Sequence, residues 1–89
     1  MEIIISNNAN KPIYVQITSQ IQAMIMSGEL QAGDAISSMR ALAKSIHVSV
    51  IIVQKAYEDL QRDDFIETII GRESFISAQD KAAFYQEEQ

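Results

Sequence analysis

Arg40, Lys44, Gln54, Lys55 and Arg72 are the side chains of this sequence best suited to hold an anionic or flat hydrogen-bonding ligand. An arginine fork bridges a phosphate, or reaches the O6 and N7 acceptors of guanine with two donors at once. A glutamine amide offers a donor beside an acceptor, which adenine matches on its exposed edge. Lys44 and Lys55 supply charge for phosphate or simply keep a surface solvated. Ser38 and Ser49 stand at the starts of helical patterns. A hydroxyl there caps the helix, and it or a backbone N–H also holds phosphate. Val50 and Ile51 follow directly; exposed aliphatics at that position meet a thymine methyl, whereas covered ones pack locally. Gly71 and Arg72 carry turn chemistry.

Distribution decides more than the total charge. The formal net charge of −5 speaks against a polyanionic partner, yet five of the seven basic residues (Arg40, Lys44, Lys55, Arg62, Arg72) fall between positions 40 and 72. The acids cluster at Glu58, Asp59, Asp63, Asp64 and Glu67, and again at Glu87 and Glu88. The chain has no cysteine, which removes a disulfide framework or thiolate metal site and fits a reducing cytoplasm. His47 is the only histidine and has no carboxylate cluster at ligand spacing, so no metal or cofactor is expected. There is no phosphate-cradling glycine loop, nucleophile elbow or acid/base pair, so no enzyme is expected. Apolar runs are far shorter than the ~20 residues of a membrane span, and the amino terminus lacks the charge pattern of a signal peptide. The expected setting is cytoplasmic.

Eighty-nine residues suffice for one modest core, and 47% apolar content supports one. Ile3, Ile4 and Ile5 read as a short strand, and residues 1–10 as strand plus linker. Pro12 suits the first position of a helix whose stripe is Ile13, Ile17, Ile21, Met24 and Ile25, ending at Ser27 and Gly28. A loop follows, with Leu30 turned inward and a turn at Gly33 and Asp34. Ser37 or Ser38 caps a second helix bearing Met39, Leu42, Ala43 and Ile46. His47 and Val48 make a tight turn, and Ser49 caps a third helix with Val53, Ala56, Tyr57 and Leu60 on its buried side. Two short helices so joined form a helix-turn-helix. Residues 65–70 and 74–77 then alternate as two strands of a hairpin, the wing of a winged helix. The fold class expected is mainly α with a small β-hairpin: a three-helix bundle plus wing over residues 11–77. Residues 78–89 read as the start of a C-terminal helix, a dimerisation region cut short.

These residues in this order resemble the GntR family of bacterial transcription regulators. Pro12-Ile13-Tyr14 with Gln16-Ile17, Ser27-Gly28-Glu29-Leu30, Gly33-Asp34, and Ser38-Met39-Arg40 with Leu42-Ala43 carry the likeness. Val48-Ser49, the stretch Val53-Gln54-Lys55-Ala56-Tyr57-Glu58-Asp59-Leu60, Phe65-Ile66-Glu67 and Gly71-Arg72 with Ser74-Phe75 continue it. Coverage is about positions 3 to 77, and the opening Ile3-Ile4-Ile5-Ser6-Asn7 is similar to the YtrA-type branch. The resemblance implies a homodimer on double-stranded operator DNA, first of all a repressor, with an unknown effector. It implies that Arg40 is a DNA-contacting residue of the second helix, and that the wing turn at Gly71 and Arg72 reaches a minor groove. The DNA-binding set is then Ser38, Arg40, Lys44, Ser49, Val50, Ile51, Gln54, Lys55, Gly71 and Arg72.

The chain also departs from the family pattern. It lacks a proline before Ser38, and His47 and Asp64 stand where glycine is common. Ile52 replaces a polar residue that can meet phosphate, and Glu73 replaces a glycine at the wing tip. Isoleucine cannot donate to phosphate, and phosphate repels a carboxylate. The alternative reading is therefore a winged-helix protein-interaction module with weakened DNA affinity.

Overall fold

The computed structural model describes residues 2–7, 10–69 and 73–77. Three helices, α1 (Ile13–Ser27), α2 (Met39–Ile46) and α3 (Val50–Arg62), are joined by three strands, β1 (Ala35–Ile36), β2 (Ile66–Ile69) and β3 (Glu73–Ile76). The expected tail helix at residues 78–89 lies outside the described residues.

Each helix ends in a left-handed residue: Gly28 (φ 86°), His47 (φ 58°) and Asp64 (φ 64°). The last two sit at positions where glycine, which adopts positive φ freely, is common in the family pattern. Histidine and aspartate tolerate that conformation better than branched residues do. At the end of α3 the Phe65 N–H reaches the Leu60 carbonyl (2.9 Å) and the Asp64 N–H the Gln61 carbonyl (3.1 Å). This is a Schellman closure, which also folds Phe65 back against the core.

Two expectations shift. Pro12 is the N-cap of α1 and not its first helical residue; its carbonyl accepts from Val15 and Gln16 N–H. The three isoleucines do not join a sheet. Their extended segment is paired instead by two side-chain amides of α1: Gln20 accepts from Ile4 N–H (2.9 Å) and donates to Ile4 carbonyl (2.6 Å). Gln16 does the same for Ser6 (2.9 and 3.0 Å) and also donates to the Lys11 carbonyl. The spacing matches, because two extended residues span about 6.7 Å and four helical residues about 6 Å. The segment therefore runs antiparallel along α1 and drops Ile3 into the core.

The wing is likewise more than a hairpin. β3 is central in an antiparallel sheet of order β1-β3-β2, with Ile36 opposite Ser74 and Thr68 opposite Ser74 from the other side. Ile76 N–H to Asp34 carbonyl (2.8 Å) and Gly33 N–H to Ile76 carbonyl (3.0 Å) extend the first pairing. Since β1 leads into α2 within two residues, the wing and α2 are held to one another through the backbone.

The core unites all these elements. Ile17, Ile21, Val53, Ala56, Tyr57 and Leu60 are completely covered, with Leu42, Ala43, Leu30, Ile36, Ile66 and Ile76 around them. Each large aliphatic so covered contributes about 1.5–3 kcal/mol. Ile52 is partly buried against this core, so it packs where the family pattern has a phosphate-facing polar residue.

Candidate nucleic-acid interface

Ser38, Arg40, Val50 and Gln54 line one open depression between α2, α3 and the wing, together with Met39, Thr68 and Ser74. Ser38 is the N-cap of α2, its hydroxyl accepting from Ala41 N–H (3.1 Å). That cap fixes the first turn from which Arg40 projects, exposed, into solvent. The lead-in to α2 is fixed from below by Tyr57: its hydroxyl donates to the Ser37 carbonyl at 2.7 Å. Burial pushes the Tyr57 phenol above the ordinary tyrosine range, so it stays a proton donor. This bond restrains the segment that lacks the family's proline.

Ser49 caps α3 in the same manner, accepting from Ile51 N–H (3.0 Å). Its carbonyl takes the N–H groups of Ile52 and Val53. Val50 and Ile51 stand on the exposed side, 42% and 72% accessible. The face is therefore mixed: a cation from α2, two aliphatics and an amide from α3, and two hydroxyls from the wing. Thr68 and Ser74 hydroxyls lie 3.2 Å apart across the strand pair. Together with Met39 they were missed from sequence. Strand alternation put Thr68 on a definite face, but only the β1–β3 pairing turns that face toward Arg40.

Other site residues are placed less simply. Gln54 donates to the Glu58 carboxylate (3.2 Å), so part of its amide is engaged within the helix. Lys55 lies over the Tyr14 ring of α1, 4.7 Å from its centroid, an arrangement worth about 0.5–1 kcal/mol at exposed sites. It does not line the depression with Arg40. Lys44 is exposed in the last turn of α2, where a cation complements the helix dipole. Arg62 is turned back onto Asp59 (3.3 Å) and Asp63 (3.8 Å). Gly71 and Arg72 lie outside the described residues. Among the described residues no group of acids and histidines is placed to hold a metal ion, and no helix is long and apolar enough to cross a membrane.

The family model for bacterial regulatory proteins of the gntR family matches residues 13–76, from the first residue of α1 to the last of β3. The chain belongs to the GntR family. A curated relative is the HTH-type transcriptional repressor YtrA of Bacillus subtilis, 38% identical over 73 residues, covering 82% of this chain and 56% of that protein. The GntR chain thus spans just over half the length of that relative. Among solved structures, YtrA from Sulfolobus acidocaldarius, a GntR-family transcription factor, superposes with a TM-score of 0.80 at 32% identity, covering 97% of this chain and 90% of that one. A Listeria monocytogenes protein described as a transcriptional antiterminator gives 0.83 at 33% identity, covering 99% and 71%. The winged helix is therefore the fold of this GntR domain, and its relatives are transcription regulators.

Proposed function

We propose that this chain is the DNA-binding part of a transcription regulator, a repressor, that works in the cytoplasm as a homodimer on operator DNA. The observation that carries the reading is the single exposed face on which Arg40, Val50 and Gln54 converge beside the wing. In this reading α3 enters the major groove, Arg40 and the capped start of α2 hold the flanking phosphates, and the wing turn at Gly71 and Arg72 approaches the minor groove. Lys44 adds charge at the rim. Residues 11–77 are the winged domain, residues 1–10 the N-terminal strand-like segment and linker, of which Ile4 and Ser6 are bonded to α1, and residues 78–89 the start of a dimerisation region. Two copies place their α3 helices about one DNA turn apart on a pseudo-palindrome.

A second reading, a module for protein contacts, is favoured by Glu58 on the Gln54 amide and by the exposed carboxylates of Glu67 and Glu73. One titration separates the two. The chain is added to labelled duplex from upstream of its own gene and to unrelated duplex of equal length, at low and moderate salt. Tighter binding to the first duplex, weakening as salt rises, is the expected result. Equal or absent binding overturns the DNA reading.

A further inference from the structure

The first turn of α3 presents an apolar surface that the fold does not use. Ile51 is 72% exposed and Val50 42% exposed, while their neighbour Ile52 packs on the core. Meanwhile the polar groups of this turn are largely spent internally. Ser49 hydroxyl takes Ile51 N–H, and Ser49 carbonyl takes Ile52 and Val53 N–H. Val50 N–H is left as the one first-turn donor without an internal partner among the described residues. The turn is thus poorly built to clamp phosphate and well built to touch carbon. It is flanked by a cation, Arg40, and an amide, Gln54, which share the depression with Val50.

We propose that Ile51, with Val50 beside it, is a specificity-determining element that reads the 5-methyl groups of thymine in the major groove. This rests on the DNA-binding reading given above. The thymine methyl is the apolar group that base pairs display in that groove. Apart from small C–H edges, the groups beside it are hydrogen-bond donors and acceptors, and an aliphatic side chain covering one would strip its water and return nothing. Cytosine carries only a hydrogen at C5, so it offers these side chains no methyl to cover, and its neighbouring N4 amino donor is left unpaired when they cover it. The methyl of 5-methylcytosine occupies the same place as that of thymine, so cytosine methylation in the operator changes affinity through these side chains. Covering one methyl group is worth roughly a fourfold change in affinity.

The test uses the chain as it stands and a duplex recovered by selecting a randomised DNA pool against it. Each thymine is replaced in turn by uracil, which deletes only the methyl, and each cytosine by 5-methylcytosine, which adds only a methyl. Uracil at one or more positions per half-site weakens binding by roughly fourfold each. The variant Ile51→Ala binds the thymine duplex less tightly and narrows the thymine–uracil gap, and Ile51→Val keeps most of the gap. Because Ile51 is exposed, both variants melt with the parent chain. Salt-dependent, sequence-selective binding with thymine and uracil equal at every position overturns this proposal and leaves the DNA-binding reading standing. A gap that survives Ile51→Ala unchanged overturns the assignment to Ile51. Failure to enrich any duplex overturns both readings.

Discussion

Tyr57→Phe removes one hydroxyl and leaves the packed ring in place. Tyr57 is completely covered, and its hydroxyl reaches the Ser37 carbonyl at 2.7 Å. Ser37 itself is exposed, so water can partly rehydrate the abandoned carbonyl. The loss therefore lies near the ordinary net value of a hydrogen bond, about 1 kcal/mol, and not at the larger cost of a sealed orphan. For a domain of this size that lowers Tm by about 4–8 °C. The pH dependence is more diagnostic. In the unfolded chain this phenol loses its proton around the ordinary value of 10.0, whereas in the folded protein burial raises it. Its contribution is fully present below about pH 10 and is lost as pH rises beyond, at about 1.4 kcal/mol per pH unit. Phenylalanine does not titrate. Urea unfolding of both proteins from neutral to alkaline pH therefore shows the variant weaker below pH ~10, with the two curves converging about one unit higher. The other titrating groups are common to both and cancel in the difference. A variant as stable as the parent at neutral pH, or a gap that stays constant through the alkaline range, refutes the reasoning.

His47→Gly and Asp64→Gly relieve left-handed residues at the ends of α2 and α3. The strain relieved is about 1–2 kcal/mol, offset by glycine's greater unfolded freedom of about 0.5–1 kcal/mol, so each raises Tm by a few degrees in calorimetry. Gln16→Ala removes three bonds that strap residues 6 and 11 to α1; the Ser6 amide loses its hydrogen-exchange protection, and stability falls by about 1–3 kcal/mol. Arg40→Ala leaves Tm within about 0.5 kcal/mol equivalents of the parent and weakens operator binding in a fluorescence titration, with the salt slope lowered by about 1. Glu73→Gly, which deletes an exposed carboxylate at the start of β3, tightens binding most at low salt. If Arg40→Ala and Glu73→Gly both leave binding unchanged, the DNA face lies elsewhere.

Periodicity made the helices legible because each buries one continuous stripe: Ile17 and Ile21, Leu42 and Ala43, and Val53, Ala56, Tyr57 and Leu60 were all expected inside and are. What escaped was set by tertiary contact. β1 is two residues long, too short to alternate, and exists through pairing with β3 some forty residues later. The isoleucines at 3–5 have strand composition, but their hydrogen-bond partners are glutamine side chains, which composition does not reveal. Ile52 looked like a surface substitution, yet it leans on the core. Within the candidate site, Ser38 and Ser49 were readable as caps since capping is local. The turning of Lys55 onto Tyr14, the engagement of Gln54 by Glu58 and the arrival of Thr68 and Ser74 beside Arg40 depend on elements distant in sequence or on rotamer choice.

The most direct measurement of the proposed DNA face is an amide chemical-shift titration of the isotope-labelled chain with its selected duplex. The expected result is that shifts concentrate at Ser38, Met39, Arg40, Val50, Ile51 and Gln54 and on the wing strands at Thr68 and Ser74, and that the middle of α1, around Thr18 and Ile21, stays still. Shifts centred on α1 with Arg40 and Ile51 unmoved would contradict it.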